Sequence, residues 1–225
     1  HLNRQRINDL AHRIAEKGVT ERHKKRTQQE YETIFQIQTT PGSGNRHLDL
    51  IFKRVIQARA NPLDRETYID ICNRVDPEAI LNEDSHRAAF DTLCSEPHIG
   101  QKITNEFLRH SVDIFGQRPE WREQLHVALD TNVVQTLVKT GAIVLEKEDR
   151  DRNPNQIINM NPSSDPSKLI SYQDTQDMLK WAANDAGFSR IVFDELWLEH
   201  REFISNPLLQ SESIFFDLVL KEYQY

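Results

Sequence analysis

Two residues in this chain of 225 could supply a nucleophile and its electrostatic partner. Lys102 follows a glycine by two positions in Pro97-His98-Ile99-Gly100-Gln101-Lys102, and Asp130 sits in Leu129-Asp130-Thr131-Asn132-Val133. A turn that opens a helix exposes backbone N–H groups at the positive end of the helix dipole, an arrangement suited to a phosphate oxygen. An amine within two residues of such a phosphate cradle reads as a nucleophile beside a nucleic-acid site. Aspartate is a favoured N-cap, accepting from N–H groups two and three positions on. A carboxylate held that way is fixed in direction and can stabilise positive charge developing on a sugar ring. Taken alone, the hexapeptide also fits an ordinary helix–helix turn, and Asp130 an ordinary cap.

The elements that must position these groups read as helices. Asn3 to Lys17 is amphipathic, with Ile7, Leu10, Ala11 and Ile14 on one side, and Gly18 closes it. A basic connector, Glu21 to Arg26, leads to a second helix over Gln29 to Gln38, and Pro41, Gly42 and Gly44 then break the chain. Further helices are expected over Arg46 to Ala58, Arg65 to Asn73, Pro77 to Leu81 (capped by Asp76) and Ser85 to Cys94. Phe90 to Cys94 and Gln101 to Phe115 would form the two arms of a helix–hairpin–helix, about residues 86–116. Asp130 opens another helix. A polar, proline-rich interval over about 146–169 reads as an exposed loop, with a short hairpin in it. The strand-like pieces are the run from Ala142 and Gln156 to Met160. Ser171 to Ala186, Arg190 to Phe203 and Ser211 to Tyr223 complete the set. The expected fold is all-α, a compact bundle of short helices in two lobes, with the helix–hairpin–helix beside the cleft between them.

Composition narrows the function. No apolar run approaches a membrane span, and the polar first residues do not read as a signal peptide, so a cytosolic protein is expected. Cys72 and Cys94 are too few for an iron–sulfur cluster or an all-cysteine zinc site and read as reduced core residues. Neither a metal nor another cofactor is called for. Net charge is −7, yet it is unevenly spread. Residues 1–26 hold eight Lys or Arg against three acids, a balance of +5, and residues 190–225 hold three against seven, a balance of −4. Such a molecule can present a basic face to a polyanion.

Taken together, the glycine-bearing hairpin, the lysine two residues on and the later Leu-Asp-Thr-Asn-Val segment resemble the helix–hairpin–helix DNA glycosylases of base excision repair. Ile34 to Val55 resembles the early helix of that family, and the similarity covers about Glu30 to Gly141. His98 stands where the family hairpin has its first glycine. The connection from Lys102 to Asp130 is longer than in the endonuclease III branch, and in this it looks more like the archaeal branch acting on 8-oxoguanine. The resemblance implies one glycosylase domain over 1–225 with AP-lyase activity, removing an oxidised purine from double-stranded DNA. The damaged nucleotide is extruded from the duplex. Lys102 attacks C1′, and Asp130 stabilises the oxocarbenium-like charge. It also implies DNA contacts from His98, Gly100, Gln101 and Gln38, the last filling the gap left by the extruded base. A monomer without a cofactor is expected.

Other residues are open to two readings. Asp194, Trp197 and His200 could line a base pocket, the indole stacking and a carboxylate accepting from a purine N–H, but Trp197 also fits a helical core. Phe107 and Trp121, near the hairpin, could stack on base or sugar or pack inside. Glu195, Glu199 and His200 fit a solvated face better than a metal site. Two rival functions remain: a helix–hairpin–helix module that binds nucleic acid without chemistry, and an N-glycosidase acting on a modified nucleoside or RNA base.

Overall fold

The computed structural model describes residues 1–16, 19–36, 47–59, 64–191 and 193. The protein is all-α, about 64% helical. Ten α-helices are described: α1 Arg4–Glu16, α2 Val19–Ile34, α3 Leu48–Arg59, α4 Arg65–Arg74, α5 Pro77–Leu81, α6 His86–Cys94, α7 Gln101–Arg109, α8 Thr131–Lys139, α9 Pro154–Ile157 and α10 Tyr172–Asp185. Among the described residues there is no strand, only isolated bridges pairing Leu2 with Ile143 and Ile158 with Ile170. No described helix is long and apolar enough to cross a membrane.

Short helices need their ends satisfied locally, and this chain does so with side chains. Asp64 accepts from Thr67 N at 2.8 Å, Asp76 from Glu78 N at 3.0 Å, and Ser85 from Ala88 N at 3.1 Å. Ser171 accepts from Asp174 N at 3.0 Å. Each such cap is worth about 1 kcal/mol, which matters for helices of five to fourteen residues. Pro77 sits at the first position of α5, where its missing N–H costs nothing, and Gly187 follows α10 at φ 80°.

The chain divides into two compact units, residues 1–23 with 129–225, and residues 24–128. In the first unit α1 packs on α10. Ile7, Leu10, Ala11 and Ile14 of α1 are buried, as are Leu179, Ala182 and Ala183 of α10. His12 Nε2 meets Asp185 Oδ2 at 2.8 Å at the margin of this pair, and the interaction holds the Asp185 carboxyl below its ordinary range. In the second unit α7 packs on α3 and α6. Phe52 meets Phe107 edge to face, centroids 5.3 Å apart at 84°, both rings wholly buried.

Several expectations are corrected. Glu21 to Arg26 is not a connector but part of α2, because glutamate, lysine and arginine are good helix formers and no breaker interrupts them. That helix ends at Ile34, and Gln36 stands in the left-handed region at φ 55°. The arm expected over Gln101 to Phe115 is α-helical only to Arg109 and continues as a π-turn over His110–Ile114, with Phe115 N donating to His110 O at 3.1 Å. Gln156 to Met160 forms no hairpin: Pro154–Ile157 is one helical turn, boxed between Asn153 and Gln156, and Ile158 pairs with Ile170 in parallel. Pro119–Gln124, unassigned in the sequence reading, is a 3-10 helix. Cys72 and Cys94 are free thiols, but half-buried rather than fully inside. Burial pushes the Cys94 thiol up, and its Sγ lies 3.3 Å from Thr104 Oγ1. The break at 37–46 and the helices expected over Arg190 to Phe203 and Ser211 to Tyr223 lie wholly or largely outside the described residues.

With Phe107 wholly buried against Phe52, replacement by alanine leaves a cavity. Phe107→Ala is expected to lower unfolding free energy by about 3–5 kcal/mol in urea titrations. A loss under about 1 kcal/mol would contradict this placement.

Candidate nucleic-acid site

The turn between α6 and α7 is built from backbone bonds and one arginine. Glu96 N donates to Leu93 O at 3.2 Å and Ile99 N to Glu96 O at 3.1 Å, closing a four-residue turn. Arg74, at the end of α4, donates to Glu96 Oε2 at 2.8 Å and to Pro97 O at 3.1 Å. Ile99 is buried, anchoring the turn as a plug, whereas His98 and Gly100 are exposed. His98 adopts φ 67°, a conformation that glycine enters freely and histidine only at a cost. His98 thus holds a backbone conformation more usual for glycine.

Gly100 differs. Its φ of −100° and ψ of 178° are open to any residue, and a Cβ built there would meet nothing within 4 Å. Neither the backbone nor the packing of the fold demands glycine at this point. As the N-cap of α7 it provides no side-chain oxygen to the helix start, and the first turn carries no acidic residue. Lys102 lies on that turn, half-buried. The Gln101 side chain is turned inward, 7% exposed, with its Oε1 accepting from Asn105 Nδ2 at 3.0 Å. Any contact of Gln101 with a phosphate therefore falls to its backbone N–H.

Asp130 caps α8. Its Oδ1 accepts from Asn132 N at 2.9 Å and Val133 N at 3.0 Å, so the carboxylate direction is set by the helix it opens. It is 6% exposed. Lys102 belongs to the unit of residues 24–128 and Asp130 to the other.

Phe107 is a core ring, as described above, and Trp121 is buried with the Arg118 guanidinium 4.2 Å from its ring centroid. Gln38, Asp194 and Trp197 lie outside the described residues, as do Glu195, Glu199 and His200. Among the described residues no group of His, Cys, Asp and Glu is arranged to hold a metal ion.

A buried polar network escaped the sequence reading. In the second and third turns of α7 and the π-turn that follows, Glu106, Arg109 and His110 are 4%, 7% and 6% exposed. Glu106 Oε1 lies 2.7 Å from Arg109 Nη2 and 3.1 Å from His110 Nε2, and His110 Nδ1 lies 2.6 Å from the Tyr31 hydroxyl of α2. Burial pushes the Tyr31 phenol well above its usual range, so it keeps its proton. Beside Tyr31, Glu30 accepts from Arg54 Nε at 2.8 Å. The spacing Glu-x-x-Arg-His was the available signal, since acids and bases three and four apart on a helix can satisfy one another when buried.

The chain matches no family model, no curated protein and no solved structure. The family resemblance thus rests on the hairpin and aspartate segments themselves.

His98→Gly is expected to stabilise the protein by about 1 kcal/mol, since it removes the left-handed strain. A thermal melt should show a midpoint raised by roughly 2–4 °C. A lowered midpoint would mean that the histidine ring holds the turn.

Proposed function

We propose that this protein is a DNA glycosylase with AP-lyase activity, excising an oxidised purine of the 8-oxoguanine type from duplex DNA. What carries the reading is Gly100 beside Lys102: a glycine the fold does not need, at a helix start without a side-chain cap, two residues before an amine. Open space where a Cβ would stand lets a phosphodiester approach the N–H groups of α7 closely, and the contact sets register without reading sequence. The Arg74 clamp on the turn keeps that backbone in place. The helix–hairpin–helix over about 86–116, within a bundle of two lobes, is part of the same proposal.

In the chemistry that follows, the neutral Lys102 amine attacks C1′ of the extruded deoxyribose. The N-glycosidic bond breaks and its electron pair leaves with the base, which takes up a proton. Positive charge passes through C1′ and the ring oxygen, where the fixed Asp130 carboxylate stabilises it. One proton leaves the lysine nitrogen as the C1′–O4′ bond breaks, its electron pair staying on O4′, which takes up a proton, and a protonated C1′ imine remains. Loss of a proton from C2′ then expels the 3′ phosphate and cuts the strand. The fold supplies the direction of Asp130 through the two N–H bonds at the head of α8.

Three substitutions test this. Lys102→Gln should abolish borohydride trapping of the protein on lesion-bearing duplex while leaving its melting temperature unchanged, and undiminished trapping would remove Lys102 from the role. Asp130→Asn keeps an equivalent cap, so base release should slow by roughly 10²–10³-fold with DNA affinity little changed. Gly100→Ala should melt only slightly lower, alanine being a poorer N-cap than glycine, yet bind duplex about tenfold more weakly, the loss of roughly one phosphate hydrogen bond. Salt-sensitive binding without base release or nicking on any lesion would instead mark a module that only holds nucleic acid. Release from RNA or nucleosides alone would mark an N-glycosidase of that substrate class.

A further inference from the structure

We infer that Glu106, Arg109, His110 and Tyr31 are positioning residues for Lys102, fixing the rotation of α7 about its own axis. This rests on the reading of Lys102 as the nucleophile. Glu106 lies one helical turn beyond Lys102 on the same face of α7. Its carboxylate is held by Arg109 and His110, and His110 is held in turn by the Tyr31 hydroxyl of α2.

Burying a carboxylate, a guanidinium and an imidazole together gains the fold little, since a well-packed apolar set of equal volume is commonly as stable or more so. What such a network adds is a single arrangement. Glu106, Arg109 and His110 brace one another along one helical face, and the bond between the Tyr31 hydroxyl of α2 and His110 Nδ1, at 2.6 Å, ties that braced face to a neighbouring helix. The π-turn over His110–Ile114 sits directly at this anchor, where the residue that joins α2 to α7 is also the first of the wider turn.

The leverage is large. A lysine amine stands roughly 8 Å from its helix axis, so a roll of about 10° carries it about 1.4 Å. A misplacement of about 1 Å at a reacting centre costs on the order of 10²-fold in rate. The network thus acts on the attack and not on the phosphate contact, which is made by backbone near the axis.

The test measures three quantities on the full chain for Tyr31→Phe, Glu106→Gln, Glu106→Met and Lys102→Gln. They are the thermal midpoint, the affinity for duplex carrying a tetrahydrofuran abasic analogue, and the single-turnover rate of borohydride trapping on an abasic site. Tyr31→Phe and Glu106→Met are expected to trap roughly 10- to 100-fold more slowly, with affinity within twofold of the parent. Glu106→Gln, which keeps an acceptor oxygen for Arg109 and His110, is expected to recover most of that rate. Tyr31→Phe trapping at the parental rate overturns the inference, whatever Glu106→Met does. Loss of rate, affinity and midpoint together also overturns it, because that is the mark of a purely structural network. If the parent fails to trap, or Lys102→Gln traps as the parent does, the reading of Lys102 fails and takes this inference with it.

Discussion

A carboxylate at 4% exposure must be met by donors, and the way Glu106 is met organises the middle of this chain. Arg109 and His110 reach it from the same helix, and Tyr31 completes the imidazole from α2. The Tyr31–His110 bond ties the end of α7 to α2. The ring pair Phe52–Phe107 supplies the apolar side of the same placement. Everything claimed for Lys102 depends on that helix standing still.

The two ends of α7 show opposite solutions to one problem. At its start stands a glycine that provides no side-chain cap, in a turn stiffened by Ile99 beneath and Arg74 alongside. At its end, a π-turn and a buried network close the helix on itself. α8 is the contrast: Asp130 caps it with its own carboxylate, which fixes a charge in direction.

Much of the fold was legible because its signals are local. Asp76 and Pro77 announced α5, Ser171 and Gly187 framed α10, and Asp130 declared its cap, each through bonds spanning three or four residues. Where the reading failed, a longer-range term decided. The charged run Glu21 to Arg26 looked like a connector because its polarity was weighed above its helix propensity. The polar residues Glu106, Arg109 and His110 drew no reading from the sequence, and their network closes on Tyr31, seventy-nine residues from His110 in the chain. The candidate site was legible in part. His98, Gly100 and Lys102 stand on or beside the turn that opens α7, whereas Phe107 proved to be a core ring and the Gln101 side chain faces inward.

The most direct measurement of the central claim locates the covalent bond itself. Protein reduced with borohydride on duplex containing 8-oxoguanine is digested, and the sugar adduct is mapped by mass spectrometry. The account predicts a single adduct on the Lys102 side chain. An adduct on another lysine, Lys139 for example, or no adduct while the base is still released, would contradict it.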